Sequence, residues 1–274
     1  MRKINQLTNE IKQSILDYLY KDEMYNSILI ELIENNFENL GELFISDDSK
    51  EITGILHIKN DGNSDFTSFH YSTEQALKAI AEEIKGLNYK KILLAGTLEK
   101  VTDLLSLLGD KRKPEENVFY KLNPEKYKEI SKNYRTKIRL AALNKEDIEK
   151  VKKFTAAFLE AKTEEEVRSI TDDDKILPKM KSGVYLLEYE GKAIGMARFI
   201  GKTKNYAEVT SVYIDKSCRN RGFGKELIGH MINIALKENK IPVLEAWHTN
   251  MAARNTYEAM GFEEKGKYAF EFLA

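Results

Sequence analysis

Apolar residues recur at helical spacing from Asn5 to Tyr20, where Ile11, Ile15, Leu16 and Leu19 share one side, and again in MYNSILIELIENN (24–36). Two alternating runs follow in LGELFISDDSKEITGILHIKN (40–60), a hairpin turning at Asp47-Asp48-Ser49-Lys50. FTSFHYS (66–72) reads as a third strand, and STEQALKAIAEEIKG (72–86) as a helix capped by Ser72 or Thr73. KKILLAG (90–96) is a strand, TLEKVTDLLSLLG (97–109) a helix and NVFYKLN (117–123) a strand.

The second half repeats that grammar. TKIRLAAL (136–143) is a strand, then a helix capped by Asn144 runs to Ala161. Thr163 to Pro178 is acidic and helical in part. GVYLLEYEGKAIGMARFIG (183–201) is a hairpin turning near Glu190-Gly191-Lys192. A strand (207–214), a glycine loop, a helix (225–239), a strand (241–249), a helix from Asn250 and a last strand, KYAFEFL (267–273), complete the chain. FTSFHYS answers VTSVYID, KKILLAG answers PVLEAWH, and Leu108-Gly109 answers Met260-Gly261. Two domains of one architecture are expected, 1–130 and 131–274, from an old duplication, with a polar linker over Pro124 to Tyr134.

With 274 residues, the chain suits two domains of ordinary size. Its net charge of −1 gives no general attraction to nucleic acid or an anionic membrane. The single cysteine, Cys218, leaves no internal disulfide and no cysteine zinc site. No apolar run approaches the ~20 residues of a membrane span, and the polar start does not read as a signal sequence, so a cytoplasmic protein is expected.

The chain's candidate chemistry gathers at Ala207–Lys225, AEVTSVYIDKSCRNRGFGK. A strand turns through Arg219-Asn220-Arg221-Gly222-Phe223-Gly224 into a helix. The first N–H groups of a helix lack internal partners, and its dipole favours an anion there. Gly222 and Gly224 would let a phosphate approach the main chain, with Arg219 and Arg221 beside it. The dinucleotide fingerprint wants a third glycine where Leu227 stands, and the nucleotide P-loop wants Ser or Thr where Glu226 follows Lys225. Arg-x-x-Gly-x-Gly after a strand resembles the acyl-CoA loop of the GNAT superfamily of N-acetyltransferases. Asn250, Ala253, Tyr257 and Gly261-Phe262 resemble the second signature of that family, in the right order after one helix and one strand. The resemblance covers about Thr136 to Ala274.

The resemblance implies an α/β fold of two tandem GNAT-like domains, each a mixed, mainly antiparallel sheet flanked by helices. The first is degenerate, without an acyl-CoA loop; the second has splayed strands at the acyl-CoA site. It implies acetyl-CoA as co-substrate, no metal, and direct transfer of the acetyl group to a primary amine, on a small molecule or a peptide. The pantetheine arm would lie against the main chain of Val212, Tyr213 and Ile214. Lys225 and Asn250 join Arg219–Gly224 as cofactor contacts, although Asn250 as a plain cap would look the same.

At neutral pH an amine of pKa ~10.4 is mostly protonated, so the reaction needs a base, a carbonyl donor and an acid for the thiolate. Tyr257 matches the family tyrosine that serves the sulfur. Glu208 and Glu245 compete as base. Each is a glutamate in an apolar strand, and each has an alternative as a rim residue facing water. Glu245, between Leu244 and Ala246-Trp247, is the more conspicuous. Glu164–Glu166 and Asp172–Asp174 would favour a cationic acceptor if they faced the cleft; as solvated faces they carry no such meaning. The other class of reading is a non-catalytic acyl-CoA-binding sensor or interaction module.

Overall fold

The computed structural model describes residues 1–35, 40–49, 51–60, 64–87, 91–130 and 134–273; Lys50 of the expected hairpin turn and 131–133 of the expected linker lie outside these. The strands of the first half are β1 (Arg2–Lys3), β2 (Glu42–Asp48), β3 (Glu51–Asn60), β4 (Asp65–Tyr71), β5 (Ile92–Thr97) and β6 (Glu116–Leu122). Those of the second are β7 (Thr136–Leu140), β8 (Val184–Tyr189), β9 (Lys192–Ile200), β10 (Tyr206–Ile214), β11 (Ile241–Trp247) and β12 (Phe262–Phe272). The helices are α1 (Asn9–Leu19), α2 (Ser27–Asn35), α3 (Glu74–Gly86), α4 (Leu98–Leu108), α5 (Lys145–Phe158), α6 (Glu164–Thr171), α7 (Asp173–Lys181), α8 (Phe223–Lys237) and α9 (Met251–Ala259). None of the described helices is long and apolar enough to cross a membrane.

Packing gathers the chain into two units. One is Met1–Phe119 with Glu245–Thr249 and Glu264–Ala274; the other is Tyr120–Leu244 with Asn250–Glu263. The division is therefore not one cut in sequence.

In the first unit β1, β2, β3 and β4 pair antiparallel in turn. β4 and β5 pair parallel, joined through α3. Thr73, not Ser72, caps α3 by accepting from the Ala76 N–H at 3.2 Å, and Thr8 caps α1 in the same way, which starts that helix later than its periodicity predicts. β12 then pairs antiparallel with β5, Tyr268 opposite Thr97 through Phe272 opposite Leu93. Ile15, Leu19 and Ile30 from α1 and α2 pack with Leu43 and Ile55. Ile80, Val101 and Leu104 from α3 and α4 pack with Leu56, Leu94 and Ala269. Each such fully buried Val, Leu or Ile side chain stabilises by about 1.5–3 kcal/mol.

The second unit repeats the topology. β7, β8, β9 and β10 pair antiparallel, and β10 and β11 pair parallel through α8. The β8–β9 turn places Glu190 at φ 50° and Gly191 at φ 79°, the paired positive φ angles that match strand twist in a two-residue hairpin. Val151 and Phe154 of α5 pack with Ile176, Leu186, Met196 and Tyr213. At the start of α5, Asp147 accepts from both Arg139 terminal nitrogens, at 2.6 and 2.9 Å, and from the Ala142 N–H at 2.8 Å. The Arg139 guanidinium holds that carboxyl well below the usual carboxylate range. Both units are thus mixed, mainly antiparallel sheets with helices, as the sequence predicts.

Candidate active site

β10 is where the second unit departs from a regular sheet. Its pairing with β9 runs Thr210 opposite Arg198, then Tyr213 opposite Met196. Ser211 and Val212 therefore share one partner position, a bulge in which Ser211 adopts φ 54°. The Arg198 Nε donates to Ser211 Oγ at 3.3 Å. On the other edge, parallel pairing with β11 covers only Tyr206 to Glu208, opposite Ile241 to Val243. Past Glu208, β10 keeps β9 and leaves β11 among the described residues. Val212, Tyr213 and Ile214 lie in the part of β10 past its last rung with β11.

The strand ends at Asp215, which accepts from the Ser217 N–H at 3.0 Å and hydroxyl at 2.7 Å; these bonds hold its carboxyl below the usual range. The chain then turns through Asn220 at φ 60° and Gly222 at φ 83°. Asn tolerates that region and glycine prefers it. Gly222 caps α8 without any side-chain bond, and the first intrahelical bond runs from the Glu226 N–H to the Gly222 carbonyl at 3.1 Å. The N–H groups of Phe223, Gly224 and Lys225 precede it and have no intrahelical partner. A Cβ added at Gly222 would meet nothing within 4 Å, and one at Gly224 only Ile214 Cγ1 at 4.0 Å. Among the described residues no atom crowds these glycines.

Both arginines are braced on aromatic faces. Arg219 donates Nε to the Ile214 carbonyl at 3.0 Å, with its guanidinium 5.6 Å from the Tyr213 ring. Arg221 lies 4.9 Å from the Tyr189 ring and 5.1 Å from that of Phe223. Phe223 is buried against Tyr189, which anchors the first turn. Lys225 is exposed. Among the described residues, none of the three cations is paired with a carboxylate. An uncapped helix N-terminus, open-faced glycines and unpaired cations fit a diphosphate.

Tyr257, in α9, is 7% exposed. Burial, with the neighbouring Tyr120 adding to it, pushes its hydroxyl up to about 12. Its hydroxyl makes no hydrogen bond to a described residue. Asn250 caps α9, accepting from the Ala253 N–H at 3.2 Å.

Residues 150–262 match the model of the Acetyltransferase (GNAT) family. Over that stretch the chain is similar to the GNAT family. Over 98 residues it is 29% identical to an uncharacterized N-acetyltransferase of Methanocaldococcus jannaschii, a match covering 33% of this chain and 43% of that protein. The match thus spans less than half of that curated relative's length. Among solved structures, a tandem GNAT protein from the clavulanic acid biosynthesis pathway matches with TM-score 0.69 at 9% identity, covering 99% of this chain and 97% of that one. A Drosophila protein gives TM-score 0.70 at 14% identity over 97% and 96% of the two chains. A GNAT-family acetyltransferase of Colwellia psychrerythraea gives 0.58 at 15%, covering all of both chains. At these identities the likeness is one of fold, and it extends over both units.

Within the matched stretch the two candidate carboxylates are placed differently. Glu208 is 7% exposed and occupies the last β10–β11 rung, where the parting begins. Glu245 groups with the first unit, where Asn117 donates Nδ2 to it at 3.3 Å. The Asn117 Oδ1 is buried and has no partner.

Sequence reasoning missed Tyr120. This residue precedes the GNAT match, yet its ring stands T-shaped to Tyr257 with centroids 6.0 Å apart. Its hydroxyl donates to Glu258 at 2.9 Å and accepts from Arg254 Nε at 3.0 Å, so it braces α9 from both charges. Only an aromatic in a strand marks it in the sequence.

The acidic runs serve helix starts. Glu166 accepts from the N–H groups of Lys162 and Thr163 in a capping box, and Asp173 pairs with Lys152 at 2.7 Å. The Cys218 Sγ lies 3.7 Å from Ser217 Oγ. The described residues contain no group of His, Cys, Asp or Glu suited to a metal ion.

Proposed function

We propose that the second unit transfers the acetyl group of acetyl-CoA to a primary amine by direct attack in a ternary complex. The observation that carries this reading is the uncapped start of α8, with two open-faced glycines, directly after a strand that has left its parallel neighbour. Phe223, Gly224 and Lys225 N–H groups would hold the diphosphate, with Arg219 and Arg221 supplying charge. Bound there, acetyl-CoA supplies a thioester carbonyl and a thiolate leaving group.

The chain supplies the rest. A main-chain N–H from the Val212–Ile214 segment, freed where the strands part, orients and polarises the carbonyl oxygen. Glu208 removes the proton that keeps the acceptor amine from attacking; its place at the last shared rung supports it over Glu245, which Asn117 already engages. Tyr257 gives a proton to the sulfur. A raised pKa suits this role, because the phenol stays protonated through the neutral range.

Thiol release from acetyl-CoA, measured against a panel of amines, aminoglycosides and basic peptides, tests the assignment. Turnover on at least one amine supports it. Cofactor binding with no turnover on any amine would make the unit a sensor or interaction module, and no binding would remove the reading altogether.

A further inference from the structure

The first unit parts its strands too. β4 and β5 pair parallel from Asp65–Ile92 to Ser68–Ala95. Beyond that rung β4 stays with β3 up to Tyr71, and β5 stays with β12. A cavity of ≈ 370 Å³, counting its open mouth, lies in the gap. It is lined by Ser68 and His70 of β4, Gly96 and Thr97 of β5, Lys100 of α4 and Leu29 of α2, among others. Coenzyme A is not what this gap suits. No glycine loop follows β4, the β3–β4 register runs without a bulge, and Thr73 fills the start of α3.

Its lining carries one formal charge, while the Asp22 carboxylate stands behind it, 3.7 Å from His70 Nε2. Lys100 is the only charged residue of the lining. It donates to His70 Nδ1 at 3.0 Å and to the Tyr71 carbonyl at 2.7 Å, which leaves one of its three protons. Among the described residues no carboxylate pairs with it. Burial draws the Lys100 ammonium below its usual range, against the opposing pull of Asp22 and Glu99. Burial also lowers His70 to about 3, with Lys100 adding to it, so the ring stays neutral and accepts. Ser68 is 9% exposed and lines the cavity, and its hydroxyl makes no hydrogen bond with a described residue. Thr97 precedes α4 without capping it, so its hydroxyl and the first α4 N–H groups are also free of a cap bond. Leu29, Phe69 and Ala95 also line it.

One half-buried cation, unspent hydroxyls and apolar lining residues ask for a monoanion with a short apolar tail. We infer that this cavity binds the carboxylate of a small organic acid, with Lys100 as counter-charge and Ser68 and Thr97 as hydroxyl donors. The enclosed part of this space is only ≈ 20 Å³, far below an ordinary ligand pocket, which limits the acid to two or three carbons with the tail in the open mouth.

Calorimetric titration of the full chain with acetate and with propionate tests this, with phosphate at matched ionic strength as comparison. One equivalent should bind saturably, at least about tenfold more weakly in Lys100→Met and several-fold more weakly in Ser68→Ala. Acetyl-CoA affinity should be unchanged in both. If circular dichroism shows Lys100→Met unfolded, Ser68→Ala carries the comparison. Absence of saturable binding by the wild type, equal binding of phosphate, or unaltered affinity in the folded variants would overturn the proposal.

Discussion

Gly224→Ala separates two properties that glycine substitutions usually confound. Gly224 lies in the first turn of α8 outside the positive-φ region, and an added methyl would come no nearer than 4.0 Å to its one neighbour, Ile214. The folded protein therefore loses nothing by it. Alanine in a helix gains up to ~1 kcal/mol over glycine, somewhat less in a first turn, so stability should rise by about 0.5–1 kcal/mol. For a protein of this size that is a gain in Tm of about 1–4 °C. The same methyl would stand in the open space through which a diphosphate reaches the Gly224 N–H. Loss of one charge-assisted hydrogen bond, about 1.5–3 kcal/mol, should weaken acetyl-CoA binding about 10- to 100-fold. Thermal melting and calorimetric titration of one preparation read both effects. A variant with raised Tm and undiminished affinity would show that no anion lies against α8, and the assignment of the loop would fall.

Tyr257→Phe should lower turnover by about 10²-fold or more with acetyl-CoA affinity retained, and unchanged turnover in thiol-release kinetics would remove it as the acid. Gly195→Ala should destabilise by about 1–3 kcal/mol in denaturant titration, because its Cβ would collide with the main chain of Tyr213, next to the bulge. Asp147 is held below its unfolded pKa of ~3.9, so its bond to Arg139 contributes stability above that pH and loses it as pH falls lower. Asp147→Asn should therefore flatten the acid limb of a stability-against-pH curve while costing about 3 kcal/mol at neutral pH; an unaltered acid limb would contradict this.

Most elements were legible because periodicity is local. Thr8, Thr73 and Asn144 cap where a hydroxyl or amide precedes an apolar period, and Gly191 turns a hairpin where two positive φ angles are needed. The glycine loop was legible for the same reason, since strand, turn and helix start are contiguous. What stayed hidden depends on distant chain. Nothing near Ser211 marks a bulge, which exists because Arg198 and Met196 set the register opposite. Tyr120 reads as one more strand aromatic until α9 packs on it. The grouping of KYAFEFL with the first unit was equally out of reach: its alternation says strand, while its partner, β5, lies far earlier in the chain.

That last pairing has a consequence for how the molecule is made. Tyr25 donates its hydroxyl to the carbonyl of Lys265, 240 residues away, and Phe119 stacks with Tyr268 in the same unit. The part of the chain synthesised first must therefore wait for some of the last-made residues before its sheet acquires its final edge. Until they arrive, β5 offers an unsatisfied border to any passing strand. Shortening the chain after Gly261 would consequently injure the amino-terminal unit, even though every residue removed follows the glycine loop and Tyr257.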